Sequence, residues 1–232
     1  MLWFLKSGIT LEYVIMRILS ILFIVFLILP LHEFAHGYVA SKLGDKTSKY
    51  SGRLTLNPIY HVDPVGLLVM FLFGFGWAKP VPIDPRNFKN PKVGMALTAA
   101  AGPISNILAA LFGGFLYYGT VVVFYQSISA TAFELIKYFF LSYISINVGI
   151  AVFNLLPIPP LDGSRIIGAF LPDKILYKYY EYEKIISIVV LGLLFIGVLS
   201  APLMYFQNII YTWIMELTRF PFKNAINSIL GV

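Results

Sequence analysis

An apolar run from Val14 to Leu31, interrupted only by Arg17 and Ser20, leads straight into His32-Glu33-Phe34-Ala35-His36. Nothing else in the chain restricts its folding so strongly. A helix stacks residues i and i+4 on one face, so both imidazoles aim the same way and can share a metal. Glu33, one step around, is placed to reach a water on that metal, the arrangement of zinc hydrolases. Two of the three histidines in the chain belong to this one motif. Ionisable side chains at the end of a membrane-length apolar helix are costly to place there, which makes them functional candidates by default.

The solvent follows from composition. Mean hydropathy is +0.81, with 59% hydrophobic and 12% charged residues, against roughly 25% charged in soluble proteins. Apolar stretches near the ~20 residues that cross a bilayer recur along the whole length. The expected fold is therefore an all-α polytopic membrane protein, residues 1–232 forming a single membrane-embedded domain. The first apolar run carries the motif and is not read as a cleavable leader. Cysteine is absent, which removes disulfides, thiolate ligands and cysteine nucleophiles and leaves histidine and carboxylates to hold a metal. The net charge of +6 does not imply nucleic acid, because the basic residues sit in short loops beside apolar spans, where they set orientation.

Taken in order, residues 11–42 read as one long helix, with Glu12 and Arg17 near one interface and Lys42 at the other. The helical rise puts the motif ~12 Å below the Lys42 interface. Residues 43–61 are a polar, basic loop. Residues 62–77 are apolar but span only ~24 Å as helix, short of the ~30 Å core. Gly74 and Gly76 interrupt their end, and a re-entrant hairpin is expected there, facing the metal because irregular backbone at membrane depth needs cover. After a basic loop at 79–92 come spans at 94–124 and 131–156. The prolines of Asn154-Leu-Leu-Pro-Ile-Pro-Pro-Leu-Asp162-Gly163 then break the helix, which restarts briefly to Leu171. A surface segment at 172–184 precedes an apolar region, 185–217, that Pro202 is expected to split. The result is a bundle of about five transmembrane helices plus the re-entrant hairpin and a short broken-helix segment. Putting 42–61, 79–92, 157–184 and 218–232 on one side gathers fourteen of the seventeen Lys and Arg residues there, which makes that side cytosolic.

A catalytic zinc takes three protein ligands and keeps a position open. The position six residues after His36, where an extended motif would carry a third histidine, is Lys42, and the next Glu after Glu33 is Glu134. His61 and Asp162 remain as candidates. An Asp beyond a proline break can return to bilayer depth, where an unpaired carboxylate needs a cation. It can equally cap the helix that follows. His61 lies in a basic loop and is either solvated or a second-shell donor, oxyanion stabiliser or further ligand, with Asp63 orienting it. Ser105 and Asn106 read as close helix packing with an interhelical hydrogen bond.

His32-Glu-Phe-Ala-His-Gly-Tyr-Val-Ala, the Ala101-Gly-Pro-Ile-Ser-Asn106 run and the Asn154–Gly163 segment together resemble the site-2 protease family of intramembrane metalloproteases, peptidase family M50. The resemblance covers about Leu29 to Ile167 and is closest to small prokaryotic members without a PDZ domain. It implies one zinc per chain bound by His32, His36 and Asp162, with Glu33 as general base and Asn154 bonding substrate or oxyanion. It also implies a β-like loop at Gly74 and Gly76 that clamps substrate as an added strand, although those glycines equally suit an ordinary kinked hairpin. The expected activity is hydrolysis of single-span transmembrane substrates from the cytosolic side of a prokaryotic cell membrane. The lipid bilayer is the other partner; nucleic acid is not expected, and no oligomer is indicated. Two rivals use the same residues: a metal transporter or sensor, and an inactive helix-binding homologue.

Overall fold

A computed structural model of the chain describes residues 18–19, 21–73, 76–125 and 127–230. Among these the secondary structure is helical, with one isolated antiparallel bridge, Val62 to Ala78. The expected interfacial roles of Glu12 and Arg17 and the clamp role of Gly74 fall outside the described residues.

Among the described residues, helix α1, Ile21–Lys42, is the first of three helices long and apolar enough to cross a membrane, with α4, Pro91–Phe124, and α5, Ala130–Asn154. Within α1, Ile24–Ile28 is a π-turn, and Leu29 N–H reaches back to the Ile24 carbonyl. Pro30 explains it: the ring lacks an N–H and crowds the carbonyl four residues earlier, so the turn before it widens. Short helices follow: α2, Thr47–Tyr50, and α3, Pro64–Phe73. After the proline break come α6, Asp162–Gly168, α7, Asp173–Glu181, α8, Glu183–Phe195, α9, Ser200–Arg219, and α10, Lys223–Leu230.

The last apolar region does split, but not at Pro202. It breaks at Gly197, whose φ of 79° is a conformation that glycine adopts without strain. Pro202 sits in the first turn of α9, where its missing N–H costs nothing.

The backbone divides into two compact units. One comprises residues 1–105 and 154–198, the other 106–153 and 199–232. In the second, Ala110, Ile144, Val148, Val152 and Ile214 form a buried core of α4, α5 and α9. Asn106 Nδ2 donates to Asn147 Oδ1 at 2.9 Å between two of these helices, the interhelical bond expected of it.

In the first unit, Ile21 and Val25 of α1 pack on Met70 of α3. The segment 62–78 leaves and returns to one point: Val62 pairs with Ala78, and Lys79 N–H donates to the His61 carbonyl at 2.8 Å. The returning strand is pinned further along by Asp45, which is fully buried. Its Oδ2 accepts from Asp84 N at 2.8 Å, and its Oδ1 accepts from Asn87 Nδ2 at 2.8 Å and from Thr47 N and Oγ1. Burial works to raise the Asp45 carboxyl, but these donors outweigh it and hold it below the ordinary carboxylate range.

Candidate metal centre

The i, i+4 pair behaves as a helix requires. His32 and His36 are 5% and 6% exposed, and their Nε2 atoms lie 3.0 Å apart. Asp162, the first residue of α6, brings Oδ2 to 3.3 Å from His32 Nε2 and 3.4 Å from His36 Nε2. Among the described residues this is the one group of three or more His, Asp or Glu side chains whose ligand atoms converge. Ligands held at ~2.0–2.1 Å in tetrahedral geometry stand ~3.3 Å from one another, so these separations fit three vertices around one zinc. Asp162 Oδ2 is buried without a hydrogen bond. A carboxylate oxygen left so is costly unless a cation meets it. The alternative role of Asp162 as a helix cap is not what the backbone uses: Leu161 is the cap residue, with no side-chain bond.

The neighbouring chain prepares the pair. His36 Nδ1 lies 2.7 Å from the Thr98 carbonyl, and a carbonyl can only accept, so Nδ1 carries the proton and the Nε2 lone pair faces Asp162. Gly102, one turn further along α4, admits the rings. A Cβ there would stand 2.5 Å from His32 Cε1 and closer still to His36 Nε2. Gly102→Ala is therefore expected to push both imidazoles off their positions and weaken zinc binding ~10-fold or more, the loss usual when the support of a metal ligand is disturbed. A zinc titration of the purified protein checks this. Neither Thr98 nor Gly102 is marked by its residue type. A backbone carbonyl has no sequence signature, and Gly102 was visible only as part of the Ala101–Asn106 run.

Glu33 is 8% exposed, and its Oε2 accepts from the Val81 N–H at 2.9 Å. The strand that donates this bond is the one pinned by Asp45. Arg53 secures it too, donating to the Lys79 and Pro80 carbonyls at 2.7 and 3.2 Å.

Other expected site residues lie elsewhere or in different roles. His61 is 1% exposed, not solvated, and its Nε2 bonds the Thr55 carbonyl at 2.8 Å. It is absent from the converging ligand group. Asp63 does not orient it but caps α3, its Oδ1 accepting from Gly66 N at 2.7 Å. Asn154 is the last residue of α5, half-buried. Gly76 lies on the returning strand, close against the Gly66 carbonyl.

A sequence model of Peptidase family M50 matches residues 115–197. The YwhC protein of Bacillus subtilis (strain 168), provisionally named a zinc metalloprotease, is 44% identical over 155 residues. That alignment covers 66% of this chain and 70% of YwhC. The chain belongs to peptidase family M50. Two further relatives carry the provisional name zinc metalloprotease Rip2. The one from Mycolicibacterium smegmatis is 32% identical over 140 residues, and the one from Mycobacterium tuberculosis H37Rv is 30% identical over 139. Each alignment covers 58% of this chain and 51% of the relative, so the chain spans about half the length of the Rip2 proteins. No solved structure matches. Membership accounts for the company the motif keeps, since the resemblance that ran from Leu29 to Ile167 is a resemblance to this family.

Proposed function

We propose that this M50 protein is an intramembrane zinc metalloendopeptidase acting on single-span transmembrane proteins. One observation carries the reading: His32 Nε2, His36 Nε2 and Asp162 Oδ2 lie 3.0–3.4 Å apart at a buried point of an apolar helix. These three residues hold the zinc. When bound, zinc supplies a Lewis acid that brings the pKa of water from ~15.7 toward ~7 and polarises a carbonyl. Glu33 acts as general base: Val81 N–H holds Oε2, and Oε1 takes the proton from the attacking water. The same carboxyl then gives the proton to the departing amine nitrogen. Asn154 hydrogen-bonds the substrate or the developing oxyanion.

A transmembrane helix hides its carbonyls, so the substrate must be held extended. The strand from Gly76 through the Val62–Ala78 bridge is suited to this, since it is already extended beside Glu33. The paired ends of 62–78 support a re-entrant hairpin over a full crossing. Five spans are proposed, α8 with its following turn and α9 being added to α1, α4 and α5; α9, with 20 residues, reaches ~30 Å. The basic loops support a site that opens toward the cytosol of a bacterial cell membrane. All of residues 1–232 serve as one protease domain, and α4 contributes to both compact units. A transport or sensing role is not favoured, because it gives the anchored Glu33 nothing to do.

Purified protein is expected to carry one zinc per chain by elemental analysis. It should cleave a single-span substrate in liposomes, lose that activity to a chelator and regain it with added zinc. Cleavage that survives complete removal of metal would overturn the proposal.

A further inference from the structure

The proline break that delivers Asp162 has a problem of its own. Pro157, Pro159 and Pro160 have no N–H, so the carbonyls of Phe153, Leu155 and Leu156 lose the donors a helix would supply. At membrane depth no bulk water replaces them, and each unpaired carbonyl is costly. The break satisfies part of this internally: Ile158 N–H donates to Leu156 O at 2.8 Å, Leu161 N–H to Ile158 O at 2.9 Å, and Ser164 Oγ to Leu161 O at 2.6 Å. The fold closes so tightly that a Cβ on Gly163 would overlap the Leu155 and Leu156 carbonyl oxygens.

Two carbonyls of the break are met from outside it. Tyr179 Oη on α7 donates to Pro157 O at 2.5 Å, and Ser187 Oγ on α8 reaches Pro159 O at 3.3 Å while bonding Glu183 O at 2.6 Å. These helices are themselves tied to the elements of the centre. Lys92 at the start of α4 pairs with Asp173 Oδ1 at 2.7 Å and donates to Leu171 O at 3.0 Å. Arg165 of α6 lies 3.8 Å from Glu183 and 5.0 Å above the Tyr180 ring. One side of the carboxylate is thus fixed through α4, which also carries Thr98 and Gly102, and the other through α7 and α8.

We propose that Tyr179 and Ser187 are positioning residues for the third metal ligand, their hydroxyls holding the Pro157 and Pro159 carbonyls and, through the break, the Asp162 carboxylate at the imidazole pair. Tyr179 is the stronger of the two, because its hydroxyl proton is not shared. The inference rests on the zinc reading of that pair. A seven-residue irregular stretch released at either carbonyl loses the register that brings Oδ2 to both rings, and misplaced ligand support costs ~10–100-fold in metal affinity.

The test uses full-length protein in detergent, with zinc affinity read by competition with a chromophoric chelator and geometry read from the visible spectrum of the cobalt-substituted form. Tyr179→Phe is expected to weaken zinc ~10-fold or more and to alter the cobalt band. Ser187→Ala should weaken it several-fold, with Ser187→Thr restoring wild-type affinity and spectrum. Tyr177→Phe, on the exposed face of α7, should change neither. Zinc affinity within twofold of wild type and an unaltered cobalt band in Tyr179→Phe and Ser187→Ala would overturn the inference while leaving the protease reading intact. Failure of the wild-type chain to bind zinc would overturn both.

Discussion

Glu33→Gln is expected to retain its zinc and to lose ~10²–10⁴-fold in turnover, the range that a positioned general base contributes. The substitution is nearly isosteric, and a carboxamide oxygen can accept from Val81 N–H as Glu33 Oε2 does at 2.9 Å. The side chain therefore keeps its place, and His32, His36 and Asp162 are untouched. What it loses is proton affinity, because an amide oxygen cannot take a proton from water near neutral pH. Single-turnover cleavage of a transmembrane substrate, with zinc content measured on the same preparation, separates the two effects. Turnover within tenfold of wild type would remove Glu33 from the role of base. Loss of zinc together with activity would mean that the carboxylate supports the metal.

The parts of this protein that the sequence disclosed are those in which chemistry is written into side chains. The His32, Glu33, His36 motif declares itself through helical spacing. Asp162 was one of two candidates for the third ligand, and the break before it was legible because three prolines cannot continue a helix. What stayed hidden depends on backbone atoms and on space. Thr98 serves His36 through its carbonyl, which any residue owns, and Gly102 serves it by having no side chain. His61 looked like a loop residue because lysines and arginines surround it in sequence. It is buried, with its ring bonded to the Thr55 carbonyl of the preceding loop and its own carbonyl accepting from Lys79 N–H where the 62–78 segment returns. Pro202 is the breaker that the last apolar region offers by residue type, yet a proline in a first helical turn is harmless. Gly197, with its positive φ, is where the backbone turns.

Asp162→Ala is expected to cost more zinc affinity than any substitution in the surrounding shell, exceeding the ~10–100-fold of second-shell changes, because it removes a ligand outright. The buried Oδ2 lies 3.3–3.4 Å from both Nε2 atoms, and loss of the carboxylate removes the oxygen that faces both imidazoles. Two ligands do not make the three-ligand site of a catalytic zinc, so protein isolated without added metal should be largely zinc-free. Asp162→Asn controls for shape: it keeps the side-chain volume but offers a neutral oxygen, and an intermediate affinity is expected. Elemental analysis and zinc titration of both variants, with thermal melts of the metal-free forms to show that the fold persists, give the measurement. His61 lies outside the converging ligand group, and its Nε2 is engaged by the Thr55 carbonyl. A full complement of zinc in Asp162→Ala would mean that the metal is held by residues other than this triad, and the convergence of Asp162 on the histidine pair would then be no more than an ion pair.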